Sequence, residues 1–430
     1  MRPSTPEDGP QRNNTFLDGS AGRVRLADRV VSLAAIRHDP TRFTRLLARA
    51  RSESGHAECL CQAPALKLVI RSRGGRFHLA GWPGNGSQHA LDCLFYKTST
   101  ELSGRSRYTV EAVNETVDGT ALRLVVPLEL SGSRILEETP NAPPRDASGA
   151  ARAMTLLGLL HWLWEQAQLN LWHPAWRRGW STCHARLTEQ AGDCVVNGLD
   201  LGNTLYVVPP YRPQNADANA VAFTTFCGRL GGLGRRQQRG LILGELKNER
   251  LTRHGTRFTL RHHRGALFAS SAVSGRTRRS YPAAFSAAAI NAVNGARRIG
   301  LFVVERTQRD YLAIVEMAVI LTNELWIPGE SFYEVVMADR IIAAGRSFTK
   351  PVRYDGDVVF PDFVLTDTKS PVYVEVYGVR GRAEYERRKQ AKQEHYRAIG
   401  ADVIEWDVAE PLPDVPPSVK GLRAVRAWQR

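Results

Sequence analysis

The sequence predicts a multidomain α+β protein, and three observations support this fold class. The chain has 430 residues and 43% of them are hydrophobic, which is enough for several domains with their own cores. Alternating apolar segments typical of β-hairpins lie in its first third, and an apolar helical pattern begins near residue 150. The last hundred residues show amphipathic helices and strands in the order helix, three strands, helix, strand.

Composition shifts divide the chain into predicted segments. A polar, partly disordered N-terminal segment covers 1–50. A hairpin module with Cys and His at both ends, a combination typical of zinc-binding modules, covers 51–140 together with a further β segment. After a Pro- and Gly-rich linker comes a helical segment at 146–215, whose helix, helix, strand-pair order can be read as winged-helix-like. A basic mixed α/β region at 216–325 precedes the C-terminal domain at 326–412 and a tail at 413–430.

The charge balance predicts a polyanionic partner. Lysine and arginine number 58 against 43 aspartates and glutamates, a net charge of +15, which favours nucleic acid over a membrane surface. The polar N-terminus does not resemble a signal peptide, and the apolar run from Tyr311 is broken by Glu316 and Glu324. We therefore expect a cytoplasmic protein without membrane contact.

Two Cys/His pairs flank the first predicted hairpin. Cys59-x-Cys61 precedes it, and His89-x3-Cys93 follows it. Zinc sites use four nitrogen or sulfur ligands, usually supplied as two close pairs, so this spacing predicts a closed, structural Zn²⁺ site. His56 is an alternative to one of the four ligands.

Two isolated acids interrupt apolar strands in the stretch PDFVLTDTKSPVYVEVYG. Asp362 and Glu375 face each other on one side of a hairpin if the loop between the strands has an even number of residues. Adjacent carboxylates in a partly dry site repel unless a cation intervenes, and Mg²⁺ or Mn²⁺ accepts such ligands together with substrate phosphate. The alternative is an edge strand with two ordinary surface acids.

PDFVL followed by VEVYG, in its frame of helix, three strands, helix and strand, resembles the PD-(D/E)XK superfamily of restriction-endonuclease-like nucleases. The resemblance implies a C-terminal αβββαβ domain in which Asp362 and Glu375 bind Mg²⁺. It assigns a third metal-binding acid to Glu334, with Asp339 as the alternative. Tyr377 stands where the family has its lysine. We expect that cation to come from the following helix, as Lys392 or, second, Lys389.

A second resemblance covers most of the chain from Cys59 onwards. CLC, a hairpin, HALDCLFY and the helix LLHWLWEQAQLNLW are similar to an uncharacterised bacterial family of plasmids and integrating elements, domain of unknown function 1173. That resemblance implies a mobile-DNA setting.

The basic middle contains candidate nucleic-acid contacts. These are Arg235, Arg236, Arg239, Arg261 and Arg264. Few aromatic residues lie among them, which favours contact with the phosphate backbone over base stacking. The nearby Glu245-x-Lys247 on a predicted strand matches a nuclease motif by itself, but no strand acid precedes it, so we interpret it as structural.

Together these patterns predict a Mg²⁺-dependent endonuclease acting on DNA in a mobile-element or defence setting. The rival hypotheses are a nuclease-like fold without activity that binds DNA, and an interaction protein of a mobile element that docks a protein partner.

Overall fold

The chain folds as a mixed α+β protein, and the computed structural model describes residues 22–73, 75–131, 144–233, 236–354, 360–378 and 383–418. The chain divides into two compact units. Unit 1 comprises Met1–Tyr96 with Ala175–Arg177, and unit 2 comprises Lys97–Pro174 with Arg178–Arg430. None of the described helices combines the length and the apolar character that a membrane crossing requires.

Unit 1 is built on one sheet. Its described elements are β1 (Arg23–Leu26), β2 (Arg29–Ser32), α1 (Leu33–His38), α2 (Thr44–Glu53), β3 (Ala57–Cys59), β4 (Leu66–Arg73) and β5 (Arg76–Gly81). The sheet order is β2-β1-β3-β4-β5. The predicted hairpin is β4–β5, with Arg73 opposite Arg76. Leu26, Leu47 and Leu68 form part of a core of this unit's own.

Unit 2 begins with short strands around two long helices. Its first elements are β6 (Val113–Glu115), β7 (Thr120–Leu122), β8 (Glu129–Ser131), α3 (Leu156–Gln166), β9 (Leu171–Trp172), α4 (Trp180–Gly192), β10 (Cys194–Val196), β11 (Leu199–Asp200), α5 (Leu201–Thr204) and β12 (Leu205–Val207). Within 146–215, β10 and β11 form a hairpin, but β10 also joins β7, β12 joins a later barrel and β9 joins the C-terminal sheet. These pairings differ from the self-contained winged-helix arrangement that the element order suggested.

A closed barrel follows. Its region contains α6 (Ala216–Gly228), β13 (Gly231–Leu233), β14 (Arg236–Gln238), β15 (Gly240–Thr252), β16 (Gly255–Leu260), β17 (Ala266–Ser270), α7 (Ser271–Ser280), α8 (Ala287–Ile290), β18 (Arg297–Arg306), β19 (Leu312–Thr322) and β20 (Pro328–Gly329). β15 pairs with both β16 and β18, β16 with β17, and β18 with β19, all antiparallel. A parallel pairing of β17 with β19 closes the ring. Strands β15, β16, β17, β19 and β18 thus form a closed ring.

The C-terminal region contains the elements that carry the predicted acids. They are α9 (Phe332–Ala343), β21 (Phe348–Thr349), β22 (Phe363–Leu365), β23 (Val372–Tyr377), α10 (Ala383–Ala398) and β24 (Asp402–Asp407). The sheet order is β24-β23-β22-β21-β9, with β23 and β24 parallel and the other pairs antiparallel. Gly345 and Gly400 follow α9 and α10 with φ of 68° and 61°, a conformation that favours glycine at helix ends.

Candidate active site and candidate metal centre

The two strand acids meet where β22 begins. Phe363 pairs with Val374 and Leu365 pairs with Val372, across a loop at 366–371. This loop has an even number of residues, which is the condition for the two acids to share a face, and the next step of the register places Asp362 beside Glu375. Both side chains are buried, with 5% of Asp362 and 1% of Glu375 exposed. The edge-strand alternative with two surface acids is therefore wrong.

Glu375 is held by two side chains from α10. Lys392 Nζ donates to Glu375 Oε2 at 2.7 Å and to the Phe360 carbonyl at 2.8 Å, and the Tyr396 hydroxyl donates to Glu375 Oε1 at 2.5 Å. Lys392 and Tyr396 are four residues apart, so one helix face presents both. Burial and the neighbouring Asp362 raise the pKa of Glu375 to about 7, although Lys392 opposes the shift.

Asp362 contacts the backbone and an arginine. Its Oδ2 accepts a hydrogen bond from the Val376 N–H at 2.8 Å, and Arg353 Nη2 lies 3.8 Å from its Oδ1. Burial, followed by the negative charge of Glu334, raises the pKa of Asp362. The ionised Asp362 carboxylate, directly before β22, is therefore not fully neutralised by the positive charges around it.

Glu334 lies in the first turn of α9, where the capping hydroxyl of Ser331 accepts the Glu334 N–H at 3.2 Å. Lys350 Nζ is 2.8 Å from Glu334 Oε2, and that lysine is only 2% exposed. Burial alone would raise the pKa of Glu334, but the charge of Lys350 lowers it below its usual range. The alternative acid, Asp339, accepts a hydrogen bond from Asn323 at 2.8 Å instead.

Lys389, the second candidate cation, points elsewhere. Its Nζ lies 3.6 Å from Asp407 Oδ2 and 4.3 Å from the centre of the Tyr377 ring. Of the two lysines proposed from the sequence, the structure brings Lys392 to the acid pair.

Sequence reasoning missed three contributors to this cluster. Lys350, Arg353 and the hydroxyl of Tyr396 each contact one of the predicted acids. A signal for Lys350 was present, because a lysine among the apolar residues of Phe348–Val352 is rarely buried without an anionic partner.

The predicted zinc ligands form a second cluster, in unit 1. The ligand atoms of Cys59, Cys61, His89 and Cys93 all lie within 4.8 Å of one another. His89 Nδ1 is 3.2 Å from Cys61 Sγ, and the Sγ atoms of Cys59 and Cys93 are 3.6 Å apart. Hydrogen bonding with Cys93 lowers the pKa of the Cys59 thiol to about 4. Three sulfurs and one imidazole are a donor set that suits a metal such as zinc.

His56, the alternative ligand, is outside this cluster. Its Nδ1 lies 2.7 Å from the Ser54 carbonyl, and its ring packs edge-on against Trp82. Within the described residues, the Cys/His cluster is the one group of three or more possible ligands this close together. The three acids of the C-terminal region are spread more widely.

The predicted nucleic-acid arginines have different environments. Arg235 lies outside the described residues, and of Arg236 only the backbone, in β14, is described. Arg239 is 12% exposed and lies 3.3 Å from Glu305. Arg264 is exposed and lies over the Tyr211 ring at 5.9 Å.

Glu245, the acid of the isolated Glu-x-Lys motif, pairs with Arg261. Arg261 Nε donates to Glu245 Oε1 at 2.8 Å, and Arg297 Nη1 donates to the same oxygen at 3.1 Å. Glu245 is 3% exposed, while Lys247 is exposed. The Glu245 carboxylate therefore forms ion pairs with two arginines on the barrel wall and not with Lys247. These contacts are in keeping with a structural interpretation of the motif.

Comparison with known proteins gives a family but no activity. Neither the curated proteins nor the solved structures contain a match to this chain. The model of a protein family of unknown function, DUF1173, matches residues 31–409, which is most of the chain. The protein therefore belongs to the DUF1173 family.

Proposed function

We propose that the protein is a metal-dependent nuclease that hydrolyses phosphodiester bonds in DNA. The observation that carries this proposal is the pair of buried carboxylates, Asp362 and Glu375, with the ammonium group of Lys392 bonded to one of them. We also propose that α9 to β24 form a restriction-endonuclease-like domain. Its element order and the parallel pairing of β23 with β24 support that assignment.

The acid pair fits a hard divalent cation. Magnesium is held in proteins by one or two carboxylates and completes its coordination with water and phosphate, so Asp362 and Glu375 suffice as protein ligands for Mg²⁺ or Mn²⁺. Burial is the main cause of their raised pKa values, because it destabilises the ionised carboxylates. A bound cation would offset that destabilisation. When bound, the ion would polarise the phosphodiester and lower the pKa of a coordinated water. Glu334 is a third acid nearby and is our proposed further ligand.

The surrounding cations have distinct proposed roles. Lys392 places a positive charge 2.7 Å from Glu375, where it can stabilise the charge that develops on the scissile phosphate or orient the attacking water. Tyr396 fixes the other oxygen of Glu375 and so orients the carboxylate. Lys350 neutralises Glu334 and holds it in place at the start of α9.

Two features support DNA as the substrate. The net charge of +15 favours a polyanion. The resemblance to a family of plasmids and integrating elements implies a mobile-DNA setting. We also propose that the protein acts in the cytoplasm and has a protein partner from the same element.

The test is cleavage of supercoiled plasmid by purified protein with Mg²⁺, with Ca²⁺ or without added divalent ion. We expect nicking with Mg²⁺, and its loss in Asp362→Ala and Glu375→Ala. Lys392→Ala should lower the rate on the order of a hundredfold and leave Mg²⁺ affinity nearly unchanged, because that lysine acts on the transition state. Lys389→Ala and the exposed Glu394→Ala on the same helix are matched controls. Equal nicking by wild type and both acid variants would refute the proposal.

One observation favours a second function, a binding platform without catalysis. Each acid already has a basic partner, since Lys392 bonds Glu375, Lys350 pairs with Glu334 and Arg353 lies near Asp362. The negative charge of such a cluster is partly neutralised without an ion. Calorimetric titration with Mn²⁺ separates the two functions. A nuclease should bind Mn²⁺ in a way that Asp362→Ala abolishes, whereas a platform should show no Mn²⁺ binding that depends on Asp362.

A further inference from the structure

A row of arginine and aromatic side chains lies on the outside of the barrel and shares no residue with the two sites described above. It consists of Arg250 on β15, Arg257 on β16, Phe268 on β17 and Tyr311, the residue directly before β19. We call these four residues the arginine–aromatic row.

Strand register places the row on one face. Arg250 pairs with Arg257, and Arg257 pairs with Phe268, so the three side chains project from the same side of three adjacent strands. The flanking residues Phe258 and Leu267 point into the barrel core. The four side chains therefore point outwards.

The aromatic end of the row continues to the next loop. The rings of Phe268 and Tyr311 meet edge to face, with centroids 5.4 Å apart. Phe268 is half-buried, whereas Tyr311 is 42% exposed. An exposed aromatic pair of this kind is a surface on which a flat ring can stack.

The arginine end of the row carries uncompensated charge. Arg250 and Arg257 are both exposed, and among the ion pairs of the described residues neither guanidinium has a carboxylate partner. The sequences of β16 and β17 contain no acid, and Asp310, the residue before Tyr311, pairs with Arg306. Like charges directly opposite each other on neighbouring strands destabilise a sheet. A bound anion between the two arginines would remove that cost.

We propose that the arginine–aromatic row binds single-stranded nucleic acid. Phosphates would lie between Arg250 and Arg257, and an unpaired base would stack on Tyr311 beside Phe268. Single-strand binding sites combine basic grooves with aromatic faces in this way. The bases of a duplex are already stacked on one another, so they cannot stack on the Tyr311 ring. Barrel topology alone implies no function, so the four side chains carry the inference.

This inference does not depend on nuclease activity, since it concerns binding at a surface of another part of unit 2. It also changes the sequence-based expectation of backbone contact alone. Phe268 and Tyr311 are distant in the sequence from the arginines that they neighbour, and only strand pairing brings the two kinds of side chain together.

The test is fluorescence anisotropy with labelled oligo(dT) of about 15 nucleotides, a length within the range of single-strand binding sites, in buffer without added divalent ion. Tyr311→Ala should weaken binding about tenfold, and Tyr311→Phe should keep it within about twofold, because the phenyl ring retains the stacking face. Arg257→Glu should weaken binding and flatten its dependence on salt, whereas Arg257→Lys should preserve that dependence. Oligo(rU) of equal length distinguishes DNA from RNA as the source of the strand.

Two controls make the outcomes decisive. Arg42→Glu makes the same charge change at an exposed position of unit 1 and should leave affinity unchanged. A duplex of equal length should show no loss with Tyr311→Ala. If wild type fails to bind either single strand, or if Tyr311→Ala and Arg257→Glu bind within about twofold of wild type, the inference is overturned, whatever the plasmid assay shows.

Discussion

Single residues in the C-terminal cluster are constrained by burial of charge. Lys350 is 2% exposed and Glu334 is 7% exposed, and they pair at 2.8 Å. A buried ion pair adds little net stability compared with apolar residues, but removal of one partner leaves the other charge buried alone. The identity of Lys350 is therefore fixed by Glu334.

Lys350→Met should destabilise unit 2 by roughly 3–5 kcal/mol, the usual cost of breaking a buried ion pair from one side. Urea unfolding followed by circular dichroism measures this change. Adding Glu334→Gln should recover part of the loss, because glutamine carries no charge and can still accept the Glu330 N–H. The exposed Lys247→Met serves as the control. A double variant no more stable than Lys350→Met would show that the ion pair is not the cause.

At the scale of elements, those with local signals were predictable. The hairpin β4–β5, the helices α9 and α10 with their terminal glycines, and the register of Asp362 with Glu375 all depend on residues close in sequence. Lys392 and Tyr396 are four residues apart, a spacing that sets them on one helix face, and the structure turns that face towards Glu375.

Elements that depend on distant partners were not predictable. The barrel closes through β15–β18 and the parallel β17–β19 pairing, and no local pattern records which strands will meet. For the same reason β9 could not be assigned to the C-terminal sheet. The ion pair of Lys350 with Glu334 was missed because the two residues lie on different elements.

The Cys/His cluster predicts how the hairpin region depends on metal. Elemental analysis should find about one zinc per chain, because four ligands at one site bind one ion. Cys61→Ser should lose that zinc and expose the amides of residues 57–95 to hydrogen exchange, since metal binding contributes directly to folding there. His56→Ala, which removes an imidazole outside the cluster, should keep both zinc and protection. A zinc-free wild type with a protected hairpin would contradict the assignment.

At the scale of the whole molecule, the two units have separate cores. Leu26 and Leu68 belong to the core of unit 1, while Trp162 and Leu243 belong to a core of unit 2. Compact regions with their own cores can unfold as separate cooperative units. A change confined to one unit should therefore shift only one thermal transition.

Each unit offers one such change. In unit 1, a chelator would remove a metal bound at the Cys/His cluster. In unit 2, Glu165 is 2% exposed, accepts a hydrogen bond from Ser103 at 2.8 Å, and has a pKa that burial raises from 4.5 to about 7. The folded state thus favours the protonated acid. Its stabilising contribution is complete below pH 4.5 and is lost as the pH rises through 7.

Differential scanning calorimetry from pH 4.5 to about pH 8, a range that spans that titration, should show two transitions. A zinc chelator should lower only one of them. Glu165→Gln should raise only the other, with little gain at the acid end and a gain on the order of 3 kcal/mol well above pH 7, because glutamine is never ionised. The exposed Glu394→Gln should change neither. A single transition that both treatments shift would mean that the units unfold together, and a gain from Glu165→Gln that is independent of pH would mean that ionisation of Glu165 is not its cause.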